Sequence, residues 1–397
     1  MPRPTRHGGD HGAIRRELNL AHGPLLDVST VLNPLGPRPE AIEAARSALS
    51  RVDRHPELGS PALVEALSRR HGIPAANLLV GAGTTALIGL IGQCLREVLA
   101  LHASVIGNPL MPVVHLVEPT RGAYRRAAER SAMKAEVWSK HALGWRQDFV
   151  PRSAAGLYWT GHPNNPTGRT WDRDALLRLV DDTESLLIVV DESELPYLAD
   201  EADRTLVGEV AGRENLLVLR SLSSVYGTPG LRVGYAVASA DMVQRVSQFR
   251  DPWSVDPVAE AAALAAIDDD AEYLSRTRAL VRSESDRLLS RLWDIPGLRP
   301  CWPSRDRPPT APPLPASVLV SLVDTPHDSI GVHAAMARRG VVVRECSDFP
   351  GLEVGALLTG PDQLVATRGQ LRIGVRRPEE NARVLELLEA VVTGPVG

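Results

Sequence analysis

Short, mostly apolar runs recur through the middle of the chain, at residues 77–80, 113–117, 156–160, 186–190, 215–220 and 233–238, and stretches with helical patterning separate them. This alternation constrains the fold more than any other feature. It predicts an α/β architecture: a mainly parallel sheet covered by helices on both faces. Residues 39–52 and 61–71 read as helices, the second entered through Ser60 and Pro61 and stopped at Gly72. A helix-dominated stretch covers 256–293, and the proline-rich segment 303–316 then breaks the pattern. Beyond it, a strand at 318–323, a helix at 330–339, strands near Val341 and Leu371 and a final amphipathic helix from Pro378 form a smaller α+β unit. The segment 95–118, apolar at first and then carrying Gly107, Pro109 and Pro112, receives no role.

Composition narrows the function. A net charge of -4 over 397 residues provides no basic field for nucleic acid or an anionic membrane, so small-molecule chemistry or protein contact is favoured. Cys94, Cys301 and Cys346 lack CxxC spacing, which argues against a disulfide framework or a zinc site and for a reducing compartment. The polar N-terminus has no apolar targeting stretch, and a cytoplasmic location is the expectation. Arginine supplies nearly all the basic side chains, since Lys134 and Lys140 are the only lysines.

The ends of the apolar runs carry one chemical theme, and strand ends are where ligands sit in open α/β sheets. Gly81-Ala82-Gly83-Thr84-Thr85 opens a helix with small residues and hydroxyls around free backbone N–H groups, which suits a phosphate. Gly161-His162-Pro163-Asn164-Asn165-Pro166-Thr167-Gly168 is a rigid turn that presents Asn165. Asp191 ends a fully apolar run, where a carboxylate needs a cation to meet it; a buried structural ion pair would satisfy that need as well as a ligand would. The block from Arg220 to Tyr235 places Ser221, Ser223, Ser224 and Arg232 at spacings that can converge on an anion.

In this order and spacing the chain resembles the fold-type I pyridoxal-phosphate (PLP) enzymes of the aminotransferase superfamily, most closely the group of threonine-phosphate decarboxylase and histidinol-phosphate aminotransferase. The resemblance runs over nearly the whole chain, through His7-Gly8-Gly9-Asp10, Asn33-Pro34-Leu35-Gly36, Gly83-Thr84-Thr85, Asn164-Asn165-Pro166-Thr167-Gly168, Asp191-Glu192, the 221–235 block, Pro252-Trp253-Ser254-Val255, Cys346-Ser347, Phe349-Pro350-Gly351-Leu352 and Leu371-Arg372-Ile373. It implies a seven-stranded type of sheet in a large cofactor-binding domain (45–265), with an N-terminal arm (1–44) and a small C-terminal domain (266–397). It also implies that Asp191 pairs with the pyridine nitrogen, that Asn165 bonds the ring 3-hydroxyl, and that Gly83, Thr84, Thr85, Ser221, Ser223 and Arg232 form the cup for the cofactor phosphate. Arg372 and Asn33 would hold substrate, with Arg372 forking onto a carboxylate, and two subunits would complete each site.

One position departs from that pattern. The lysine that holds PLP as an imine falls three residues after Ser221, and this chain has Ser224 there. A hydroxyl forms no imine and is a poor general base without a partner. Three more positions drift: Glu194 stands where relatives place Tyr or Phe, Arg121 where an aromatic ring stacks on the pyridine, and His55 where a Tyr reaches the partner subunit's phosphate. Glu194 and His162, together with Ser224, are the candidates for moving a proton. The leading reading is an enzyme that holds PLP or its amine form, pyridoxamine phosphate (PMP), without a covalent tether and acts on an amino-acid-like substrate. A non-catalytic partner subunit, a serine introduced to trap a substrate complex, and a pocket given over to another phosphorylated ligand are the alternatives.

Overall fold

The computed structural model describes residues 8–21, 23–106, 113–139, 156–183, 186–301, 316–355, 357–359 and 364–395. The apolar runs form one seven-stranded sheet in the order Leu78–Gly81, Gly234–Val237, Leu216–Ser221, Leu186–Asp191, Gly156–Gly161, Val113–Glu118, Lys134–Ser139. Gly234–Val237 runs antiparallel to both its neighbours, and every other pairing is parallel. Side chains alternate across the sheet. Tyr158, Ile188, Val190 and Val218 join one hydrophobic core, whereas Leu157, Trp159, Val189 and Leu217 join the core on the other face. Two cores on one sheet explain why the strands are apolar throughout.

Helix signals translate closely. Pro61–His71 begins on Pro61 and ends at Gly72, whose φ of 64° lets its N–H donate to the Ser68 carbonyl. The expected helix at 39–52 is α-helical over Pro39–Ala48 and tightens into a 3₁₀ turn, Leu49–Arg51. Lys134–Ser139 is a strand that sequence patterning did not reveal. It lies at the sheet edge and carries Lys134 and Glu136, charges of the kind that protect edges from further pairing.

The smaller unit is a four-stranded antiparallel sheet ordered Arg344–Glu345, Gln370–Gly374, Ser317–Leu322, Leu298–Pro300. The N-terminal segment belongs to it: Leu26–Asp27 pairs with Val341–Val342, and Val28 enters its core beside Leu371, Ile373 and Val384. Most of the proline-rich break, 302–315, and the 107–112 part of the segment without a role lie outside the described residues, as does Lys140. Thr84–Ile106 is one 23-residue helix, which accounts for the apolar start of that segment.

Candidate active site

Five strands end on one rim of the large sheet. Gly81 leads into Gly83 and Thr84, Glu118 into Arg121, Gly161 into Asn165, Asp191 closes its own strand, and Ser221 leads into Ser224. At one end of the resulting cleft stand Gly83, Thr84 and Arg232. Gly83 has a φ of +79°, and a Cβ there would lie 2.6 Å from Nη2 of Arg232, so only glycine lets this guanidinium lie against the loop. Arg232 is exposed and donates to the carbonyl of Pro229. This end suits a phosphate.

Two serines expected in the cup differ in employment. Ser223 Oγ donates within the loop to the carbonyls of Leu231 and Val233 and accepts from the Val233 N–H, so it braces the Arg232 turn and has nothing left for an anion. Ser221 Oγ accepts from the Ser223 N–H at 3.2 Å. Ser224 lies part-buried at the turn, its carbonyl taking the N–H groups of Asn33 and Gly227. Asn33 Nδ2 donates to the Val225 carbonyl and Thr277 Oγ1, and its Oδ1 accepts from the Leu35 N–H, so it fastens the Ser224 turn to the N-terminal segment.

The other end of the cleft is built on Asp191, which is 4% exposed. Its Oδ1 accepts from the N–H of Ser193 at 3.0 Å and from the Ser193 hydroxyl; its Oδ2 accepts from Tyr124 Oη at 2.9 Å and Arg121 Nη1 at 2.8 Å. Burial alone would lower the affinity of Arg121 for its proton, and the charge of Asp191 overcomes it, so the guanidinium is firmly charged. The same guanidinium donates to Thr84 Oγ1 and Thr85 Oγ1, each at 3.1 Å. Tyr124 stacks on Trp159 with ring centroids 5.2 Å apart, and burial raises its phenol well above the usual range.

A polar chain lies beside this pair. Arg372 donates through Nη1 to Asn165 Oδ1 and through Nη2 to the carbonyl of Ser29 at 2.7 Å, and Asn165 Nδ2 donates to Glu194 Oε1 at 2.9 Å. Burial raises the Glu194 carboxyl above its ordinary range, against the opposing pull of Arg372 and the Asn165 bond. Burial also pulls Arg372 below the usual arginine range, and its Nε has no hydrogen-bond partner among the described residues. The phenol of Tyr197 lies against Glu194 and Ser224.

Tyr197 and Tyr124 went unremarked in the sequence, and one signal could have found both. Each lies three residues after a flagged position, Glu194 or Arg121, where a tight turn closes with its N–H donating to the flagged carbonyl. His162 is fully buried, its Nδ1 accepts from the Trp171 N–H at 3.1 Å, and burial drives its pKa down to about 3. His55 is exposed and stacks on Trp253 at 4.6 Å. Lys134 is exposed on the edge strand, 3.4 Å from Glu136.

PLP can be set against this geometry. The Gly83–Arg232 end offers its phosphate an exposed guanidinium beside a helix start. The ring end does not accommodate the ring, because both oxygens of Asp191 are engaged and Arg121 lies between Asp191 and the two threonines. Among the described residues no cluster of His, Cys, Asp or Glu could hold a metal, and no helix is long and apolar enough to cross a membrane.

Known proteins place the chain. It is 34% identical over 385 residues to a histidinol-phosphate aminotransferase of Symbiobacterium thermophilum, covering 96% of this chain and 93% of the relative. It is 28% identical to the threonine-phosphate decarboxylase of Salmonella typhimurium over 98% of this chain and 97% of the relative. Among solved structures, the L-threonine-O-3-phosphate decarboxylase of Porphyromonas gingivalis superimposes with a TM-score of 0.74 at 23% identity, over 92% of this chain and 99% of that one. The histidinol-phosphate aminotransferase of Sinorhizobium meliloti, solved in complex with pyridoxal-5'-phosphate, gives 0.71 at 19% identity, over 96% and 92%. Residues 24–385 match the family described as aminotransferase class I and II, and with nine-tenths of its length inside that match the chain belongs to this family.

Proposed function

We propose that this family member has left the lysine-tethered cofactor cycle and uses its cleft to hold a phosphorylated, amino-acid-like small molecule without a covalent bond. One observation carries the reading: Arg121 already neutralises Asp191, while Arg232 stays exposed beside Gly83 and Ser224 stands where the resemblance places the tethering lysine. The relatives' names support the ligand class, since they act on histidinol phosphate and threonine phosphate. Arg372 supplies a second cation for a carboxylate, and Glu194, whose carboxyl is raised above its ordinary range by burial, lies beside it as a candidate acid or base.

A second reading is PMP or PLP bound without a tether, and the retention of Asn165 and Asp191 on the rim favours it. Calorimetric titration separates the two. Micromolar binding of O-phosphothreonine or histidinol phosphate, with no binding of PMP, is the expected result. Tight PMP binding with a near-ultraviolet absorbance change transfers the proposal to the second reading, and silence of the phosphorylated amino compounds at millimolar concentration ends the first.

The partner is a second copy of the chain. Leu49, Val52, Leu58 and Trp253 are 58%, 62%, 65% and 46% exposed, and His55 stacks on Trp253. An apolar group of this kind marks a protein contact. Sedimentation should give a dimer, and Trp253→Asp with Leu58→Asp should give a monomer.

A further inference from the structure

The position of Arg121 says more than the loss of the lysine. Its guanidinium runs from Thr84 and Thr85, at the phosphate end, to Asp191 at the other. A pyridine ring with its phosphate over Thr84 and its nitrogen on Asp191 would have to lie along that same line. Charge opposes such a ring as well as space does. Asp191 is buried and already paired with one cation on Oδ2, so a protonated ring nitrogen would bring a second cation to a single carboxylate. Burying charge without a partner is unfavourable, and a ring that avoids this by staying unprotonated no longer withdraws electrons strongly.

We infer that Arg121 is the specificity determinant of the cleft: paired with Asp191 it fills the ring subsite and shuts out pyridine cofactors, leaving the phosphate end to phosphorylated ligands that place no pyridine ring against Asp191. The inference deepens the reading above by naming what the site rejects and which side chain rejects it. Ser224 is then secondary, because a lysine at 224 would find no ring within reach while Arg121 stays in place. The Thr84 and Thr85 hydroxyls accept from the guanidinium and add to its anchorage on Asp191.

The test compares the wild type with Ser224→Lys, Arg121→Tyr and the double variant. PMP affinity is read by calorimetry, and covalent capture of PLP by borohydride reduction followed by intact mass. Arg121→Tyr alone should raise PMP affinity by at least tenfold. Ser224→Lys alone should capture little PLP, and the double variant should capture about one per chain. Stoichiometric capture by Ser224→Lys alone overturns the inference, and so does PMP affinity in Arg121→Tyr within twofold of the wild type. Should Arg121→Tyr fail to fold because Asp191 is left unpaired, Arg121→Tyr with Asp191→Asn opens the same space without that charge and is judged by the same tenfold criterion. The wild-type titration with O-phosphothreonine is independent of these outcomes: its failure removes the proposed ligand and leaves the exclusion by Arg121 standing.

Discussion

The two ends of the cleft employ their polar groups in opposite ways. At the proposed phosphate end stand a glycine with positive φ, a helix start and an exposed arginine, and the arginine has no carboxylate to quench it among the described residues. At the ring end the groups around Asp191 are spent internally: Arg121 and Tyr124 on one oxygen of Asp191, Ser193 on the other, and Asn165 lies between Arg372 and Glu194. Binding free energy is available where a charged group still lacks a partner, and stability is stored where partners already meet. Substitutions at the two ends should therefore move different observables.

The largest effect belongs to the ring end and to stability. Arg121→Ala leaves Asp191 nearly fully buried without its cation, and breaking a buried pair costs ~3–5 kcal/mol. Tyr124 and Ser193 still donate, which places the loss near the low end of that range. Asp191→Ala should cost less, because Arg121 is 27% exposed and its long side chain can turn toward water. Urea unfolding of both variants checks the order, and equal losses would mean that the pair is not as asymmetric in burial as the geometry requires.

A control behind the cleft sharpens the contrast. His162 has a folded pKa of about 3, below the ordinary ~6.5, so between those values the unfolded chain binds a proton that the native chain refuses. Its contribution is complete above about pH 6.5 and declines as pH falls toward 3, by up to ~1.4 kcal/mol per pH unit. His162→Gln should flatten that slope in acid unfolding and leave ligand affinity alone. His71, lowered to about 4, retains its own share of the acid sensitivity. A lost ligand signal in His162→Gln would return His162 to the cleft.

Arg232→Ala reads the phosphate end. The residue is exposed, so unfolding should shift by no more than ~0.5 kcal/mol. Affinity for a phosphorylated ligand should fall about 10- to 100-fold, since hydrogen bonds to charged groups are worth ~1.5–3 kcal/mol. Unchanged affinity by calorimetry would show that the phosphate is held elsewhere.

What the sequence told depended on whether a property is carried by the chain's path or by the turn of a side chain. Apolar runs gave all but one strand of the large sheet, because a strand buried on both faces must be apolar; Lys134–Ser139 escaped because an edge strand tolerates charge. Strand ends brought Gly83, Arg121, Asn165, Asp191, Glu194 and Ser224 to one rim. Spacing could not tell that Ser223 points into its own turn, that Asn33 bonds across to the Ser224 turn, that His162 points into the core, or that Arg121 spans the cleft, since each is a choice of rotamer settled by the packed neighbours.

The smallest predicted effect decides how the two ends communicate. Glu194 touches Asn165 and lies close to both Arg372 and Asp191, and the balance of these influences leaves its carboxyl above the ordinary value. For an acid whose folded pKa is raised, the native state keeps a proton that the unfolded chain has released. Stability is then greatest below the ordinary ~4.3 and falls as pH rises toward the folded value. Glu194→Gln removes that titration and keeps an amide oxygen to accept from Asn165. The variant should match the wild type near pH 4 and exceed it at pH 7. Parallel urea titrations at the two pH values measure the difference. A variant that loses ground at pH 7 would show that attraction to Arg372 outweighs burial, and Glu194 would then be a fixed anion neutralising the arginine proposed for the ligand's carboxylate.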